Sequence, residues 1–216
     1  MTILIGYRLD NGVIFTADRR TSEIDKVGNN LGTSYNTSKK IIHIRPNIII
    51  STAGLGTLGR TTAKLVRSLI FHKEDLSIDD ALKITQECFS FVHHKFKQNN
   101  PDVTYDLMYV MFGGFDFDKN TSFLYELKST DNFTINKNNN ENLIVGSKQE
   151  SVTAYISENI KHYTIDKFPE LFSSAIRSIE ADDVSKETQS VFSFVNNKEP
   201  YANEIFLDEN GVRTTE

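Results

Sequence analysis

Residues 1–20 read MTILIGYRLDNGVIFTADRR, and the two short apolar runs inside this stretch decide the fold. Ile3-Leu4-Ile5 and Val13-Ile14-Phe15 are β-branched, aliphatic or aromatic, and Leu9-Asp10-Asn11-Gly12 lies between them. Asn-Gly between apolar runs predicts a β-hairpin, because both residues tolerate the positive φ of a tight turn. Such a hairpin carries Asp18 and Arg20 back to the neighbourhood of Thr2. Neither run alternates cleanly with polar residues, so the sheet is expected to be covered on both faces although its strands are antiparallel. That combination implies stacked layers.

A chain of 216 residues without a Pro/Gly/Ser linker is expected to form one domain, spanning residues 2–216. Its 24 Lys plus Arg against 29 Asp plus Glu give a net charge of -5, with no long basic patch, which argues against nucleic acid or an anionic membrane as partner. Cys88 is the only cysteine, so an intrachain disulfide is excluded and a reducing compartment is indicated. No signal segment opens the chain and no apolar run reaches spanning length, so the expected location is cytoplasmic. The Asn138-Asn139-Asn140 tract reads as a loop.

Beyond the hairpin, residues 21–38 are polar and rich in Gly, Asn, Ser and Thr, and read as a long excursion leading to Lys39-Lys40. A second hairpin is expected from Ile41–Ile44 and Ile48–Thr52 around Arg45-Pro46-Asn47. Ala53-Gly54-Leu55-Gly56 breaks the sheet. A helix follows with Leu58, Leu65, Val66, Leu69 and Ile70 on one side, and another begins at Ser77 with Asp80 in a capping-box-like position. This second helix places Ile78, Ala81, Leu82, Cys88, Phe89, Val92 and Phe96 on one face, widened by Ile84 and Phe91, which suggests packing on more than one side. Strands are expected at 105–112, 122–127 and 143–145, with Gly113-Gly114 and Asp118-Lys119-Asn120 marking the connection between the first two. Helices over 150–160 and 168–179, the latter with Pro169 in its first turn, precede closing strands at 191–195 and 204–207. This order suits an α+β sandwich of two antiparallel sheets with helices on the outer faces.

Several short motifs, in order, carry a family resemblance: Thr2 before an apolar strand, Ala17-Asp18-Arg19-Arg20, Ser38-Lys39-Lys40-Ile41, Ser51-Thr52-Ala53-Gly54-Leu55, and Gly146-Ser147. Together they resemble a proteasome β-subunit or one of its propeptide-less bacterial relatives, among the N-terminal nucleophile hydrolases. The resemblance is closest over residues 2–70 and thins to a pattern after Gly146. It implies a four-layer αββα sandwich, peptide or unfolded-protein substrates, and a homo-oligomeric ring or stacked assembly, with any ATPase partner left open. The segment from Asp18 to Lys40 is several residues longer than in typical β-subunits. Because that segment borders the family's substrate cleft, specificity does not carry over.

The chemistry is coherent residue by residue. A threonine hydroxyl needs a base, and an N-terminal threonine has its own α-amine, whose unperturbed pKa of about 8 suits the task better than a lysine near 10. Lys40 would lower the amine's pKa and hold Thr2 Oγ, while Asp18 would keep Lys40 charged and oriented. The Gly54 N–H, at the start of the first helix, can serve as an oxyanion donor. Retention of Met1 would turn the amine into an amide, so its removal is expected, threonine being small enough for methionine aminopeptidase. From the resemblance alone, Ser147 matches the family's serine near the α-amine, and Asp182 and Ser185, spaced D-x-x-S, match the acid and second serine that tune the site. Asp183 is an alternative to Asp182, and Lys186 stands where many relatives have glycine.

Each residue also has a plain reading. Thr2 can simply start a strand, Asp18 and Arg20 can be an ion pair at a strand end, and Lys39-Lys40 a solvated edge. Ser147 can cap the third helix, and Asp182 and Ser185 can belong to a turn. His93-His94 reads as a surface pair, because adjacent helical residues diverge by about 100° and offer no metal geometry. Leu55-Gly56-Thr57-Leu58-Gly59 lacks the ending of a phosphate loop, so no cofactor or metal is expected. The function indicated is a threonine-type endopeptidase, the alternatives being a catalytically silent ring subunit or an amidase or peptide ligase of the same superfamily.

Overall fold

In a computed structural model that describes residues 2–73, 75–181, 184–196 and 199–215, the expected hairpin is present as β1 (Ile3–Leu9) and β2 (Gly12–Asp18). Register pairs Leu9 with Gly12, so Asp10 and Asn11 form the turn, and none of Asp10, Asn11 and Gly12 has the positive φ that the dipeptide suggested. Gly12 is needed for a different reason. A Cβ there would lie 2.2 Å from Ser193 O and 2.5 Å from Phe194 Cα, so its absence lets a neighbouring strand approach.

The excursion at 21–38 is itself paired, as β3 (Thr21–Ile24) and β4 (Asn30–Tyr35), a separate two-stranded sheet. Its polar composition concealed a hairpin whose tip is anchored elsewhere. Lys26 O accepts from the Thr104 and Tyr105 N–H groups at 2.8 and 3.2 Å, and Lys26 also pairs with Asp102. The second expected hairpin follows as β5 (Ile41–Arg45) and β6 (Ile48–Gly54), then α1 (Gly56–Ile70) and α2 (Ile78–Asn99). Ser77 caps α2, its hydroxyl accepting from the Asp80 N–H at 3.0 Å.

The remaining elements are β7 (Met108–Asp116), β8 (Thr121–Lys128), β9 (Asn136–Lys137), β10 (Asn142–Gly146), α3 (Gln149–Asn159), α4 (Phe168–Arg177), β11 (Thr188–Asn196), β12 (Glu199–Leu207) and β13 (Arg213–Thr214). Gly113 and Gly114 sit inside β7 and do not mark its end. Strand order is β10-β1-β2-β11-β12-β13 in one sheet and β5-β6-β7-β8-β9 in the other, every pairing antiparallel.

Alternation of side chains explains why four layers form. On β1, Ile3, Ile5 and Tyr7 pack with Leu171 and Phe172 of α4, whereas Leu4 meets Ile41, Ile49 and Met111 of the other sheet. The second sheet does the same, turning Ile48, Ile50 and Phe112 onto Val66 of α1 and Phe89 of α2. The result is the expected αββα sandwich: the central strands of both sheets are buried on both faces, which is why β1 and β2 lack polar alternation.

Two helix readings need correction. Leu65 and Leu69 of α1 are 43 % and 42 % exposed, because the face toward the sheet is built from Gly59, Thr62, Ala63, Val66 and Ile70. On α2, Phe91 is 62 % exposed while His93 is buried, its Nε2 2.8 Å from Asp106 O and its ring edge-on to Phe133. The histidine pair is therefore split between core and surface. No described helix is long and apolar enough to cross a membrane.

Candidate active site

The antiparallel pairing of β1 and β2 sets Leu4 against Ala17, so Asp18 at the end of β2 faces the start of β1. Asp18 is completely buried and accepts four hydrogen bonds. Its Oδ1 receives the Ile3 N–H at 2.9 Å and Lys40 Nζ at 2.9 Å; its Oδ2 receives the Arg20 N–H at 3.0 Å and the Ser185 N–H at 3.3 Å. One carboxylate thus ties together the start of β1, the lysine, and the turn before β11.

Lys40 lies just before β5, 6 % exposed, and its Nζ reaches Thr2 Oγ1 at 2.8 Å. Lys39 points elsewhere, to Glu204 Oε2 at 3.5 Å and over the Phe206 ring. The opposite directions of consecutive extended residues select Lys40, as the strand geometry requires. Burial pulls the Lys40 pKa below 10.5; Asp18 pulls it back up, Arg60 and Arg20 push it further down, and the net direction is downward. Asp18 lies 2.9 Å from Lys40 Nζ and opposes the desolvation that draws the lysine's pKa down.

Sequence reasoning missed the residue that fixes Lys40's backbone. Gln189 of β11 is fully buried between the sheets, its Oε1 accepting from the Lys40 and Ile41 N–H groups at 2.9 and 3.1 Å. Its Nε2 donates to Ile41 O at 3.0 Å and to Glu204 Oε1. Both ends of the amide are used, so one side chain stitches β11 to the start of β5. A glutamine in a strand reads as a solvent-facing position, and no short motif marks it.

Gly54 closes β6 with φ +90°, and a Cβ there would sit 2.0 Å from Leu107 O. The Thr52 N–H donates to Lys40 O at 3.1 Å, and Gly54, two residues on, lines the cleft together with Thr2 and Lys40. Ser147 follows Gly146, the last residue of β10, which pairs with Ile3. The N-cap of α3 is Lys148, not Ser147. Gly146 has φ +120°, and a Cβ there would lie 1.6 Å from Thr2 O, so the backbone of Thr2 occupies that space. Ser185 is buried against Asp18, its Oγ accepting from the Glu187 N–H at 3.0 Å. The φ of Lys186 lies outside the left-handed region, so a lysine fits where relatives carry glycine. Asp182 and its alternative Asp183 lie outside the described residues.

Thr2, Lys40 and Gly54 open into a cleft of about 440 Å³ walled by β3, the start of α1 and Tyr105. A threonine hydroxyl on a buried lysine, beside a carboxylate and a strand-end N–H, can support acyl transfer.

Layers and site together define a fold of the N-terminal nucleophile hydrolase type. The sequence profile described as "Proteasome subunit" matches residues 2–195, and the chain belongs to that family, which includes peptidases and inactive members. Among solved structures, the helical assembly of the Anbu complex from Pseudomonas aeruginosa superposes with a TM-score of 0.76 at 15% identity, covering 96% of this chain and 87% of that one. At that identity the likeness concerns the fold. No curated protein sequence matches the chain.

Proposed function

We propose that the protein is a threonine-type endopeptidase whose nucleophile is Thr2, with Asp18, Lys40, Gly54, Ser147, Asp182 and Ser185 forming the site around it. The observation that carries this reading is the 2.8 Å contact between Thr2 Oγ1 and Lys40 Nζ, with Asp18 behind it at 2.9 Å. Thr2 Oγ attacks the peptide carbonyl carbon and gives up its proton to the α-amine freed by removal of Met1. The Gly54 N–H takes the oxyanion, the leaving amine receives the proton, and the ester left on Thr2 is then cleaved by water. An N-terminal amine near pH 8 is a better-matched base than an ordinary lysine.

A second base is favoured by one observation: Lys40 touches Thr2 Oγ1 directly, and its pKa is lowered by burial. The two routes separate on Met1, since a lysine base works whether or not Met1 is removed. The protein is further read as one domain over residues 2–216, cytoplasmic, and assembled into a ring or stack, for which exposed Leu65, Leu69 and Phe91 on the outer helices supply apolar surface.

The test is incubation of protein lacking Met1 with blocked fluorogenic peptides, in parallel with Thr2→Ala. Release of fluorophore by the wild type alone supports the reading; equal release by both, or by neither across a broad peptide set, opposes it.

A further inference from the structure

Gln189 acts as a surrogate strand partner. β5 is an edge strand of its sheet, and Ile41, its first residue, turns both its N–H and its C=O to the Gln189 amide, at 3.1 and 3.0 Å. The Lys40 N–H joins them on Oε1 at 2.9 Å, while Lys40 O accepts from the Thr52 N–H at 3.1 Å. The backbone that carries the cleft lysine is thus pinned on one side by β6 and on the other by one side chain.

A primary amide has two acceptor lone pairs and two N–H donors. On Gln189 both lone pairs serve the Lys40 and Ile41 N–H groups, and one donor serves Ile41 O. The second donor goes to Glu204 Oε1, which completes the four bonds of a fully buried side chain. Register explains how an acid reaches it. β12 sets Phe206 opposite Gln189, so Glu204, two residues back, is a diagonal neighbour on the same face.

Among the described residues β12 pairs with β13 only at Phe206 and Leu207, so Glu204 lies beyond the end of that pairing, its side chain 33 % exposed. Its other oxygen is 3.5 Å from Lys39 Nζ. A partly solvated ion pair of that length contributes little. The bond to the amide is the costlier one to lose, because an orphaned buried N–H carries its full desolvation penalty.

We propose that Glu204 is a positioning residue for the cleft: from the outer strand β12 it fixes the Gln189 amide, and through it the backbone of Lys40. The proposal rests on the acyl-transfer reading above and adds to that site a residue that does not touch it. What the role requires of residue 204 is reach and an accepting oxygen, and charge is secondary.

Two substitutions separate these requirements. Glu204→Gln keeps the length and an accepting oxygen but loses the charge; Glu204→Asp keeps the charge and is one methylene short. With protein lacking Met1 and blocked fluorogenic peptides, Glu204→Asp should lower kcat about tenfold or more with KM nearly unchanged, since a 1 Å misplacement can cost about 100-fold. Glu204→Gln, and Lys39→Met, which removes only the ion pair, should stay within about threefold of wild type. In a Gln189→Met background Glu204→Asp should bring no further loss, because the two residues act in series. Each kcat is referred to the folded fraction measured by circular dichroism. Glu204→Asp retaining as much kcat as Glu204→Gln, an equal loss in Lys39→Met, or losses that add in the double variant would overturn the proposal and leave the acyl-transfer reading standing. Absence of hydrolysis by the wild type, together with failure of a β-lactone to label Thr2, would remove both.

Discussion

Asp18 and Lys40 are predicted to rank in opposite orders for stability and for catalysis. Asp18→Ala strands three backbone N–H groups, the buried ones of Ile3 and Ser185 and the half-buried one of Arg20, and leaves the Lys40 ammonium without its counter-charge. Removing one partner of a buried pair in this way costs roughly 3–5 kcal/mol. Lys40→Met is milder, because the Asp18 carboxylate keeps all three N–H donors and loses one charged hydrogen bond, a cost of about 2 kcal/mol. For a chain of this size each kcal/mol moves Tm by roughly 2–4 °C, so Asp18→Ala should melt visibly below Lys40→Met. Urea denaturation followed by circular dichroism measures the difference. Peptide hydrolysis should show the reverse order when Asp18→Asn, which retains one acceptor, is compared with Lys40→Met: the lysine variant has lost the group in contact with Thr2 Oγ1. A Lys40→Met protein as unstable as Asp18→Ala would show that Asp18 is not held by the backbone donors and would refute the reasoning.

Gly146→Ala should abolish labelling of Thr2 while leaving a folded protein, since the new Cβ displaces Thr2 O and a shift of about 1 Å can lower the rate 100-fold; near-normal labelling would oppose this. Gln189→Met removes the acceptor for the Lys40 and Ile41 N–H groups, and should reduce kcat far more than it raises KM, with partial rescue in Gln189→Glu, which keeps that acceptor; a pure KM effect would count against a positioning role. The pH dependence of stability carries the sign of the lowered Lys40 pKa. The folded state binds fewer protons than the unfolded state between the folded pKa and 10.5, so the cost of burying the charge is full below that window and is relieved as pH rises through it. The stability of the wild type relative to Lys40→Met should therefore climb with pH up to 10.5, and a flat or falling difference would contradict the direction.

The sandwich was legible because strands covered on both faces cannot hide their apolar runs, and the Asp18 to Lys40 link was legible because alternation along a strand admits one lysine of two. The reasons were less secure than the elements: the first hairpin formed without the positive φ that Asn-Gly suggests, and Gly12 proved to matter for approach of β11. Polar composition hid β3 and β4, whose support is the distant loop at Thr104 and Tyr105. On α1, small residues took the buried face from Leu65 and Leu69, because close packing of helix on strand rewards small size as well as hydrophobicity. Gln189 was invisible for a related reason. Its partners are backbone groups 148 and 149 positions away, and no local pattern encodes such a bond.

The central claim is that Thr2 is the nucleophile, and covalent capture tests it most directly. Protein lacking Met1 would be treated with a β-lactone and analysed by intact mass and peptide mapping. The account predicts one adduct per chain, on Thr2, absent from Thr2→Ala and strongly slowed in Lys40→Met. An adduct on another residue, or none on a folded wild-type protein, would contradict it.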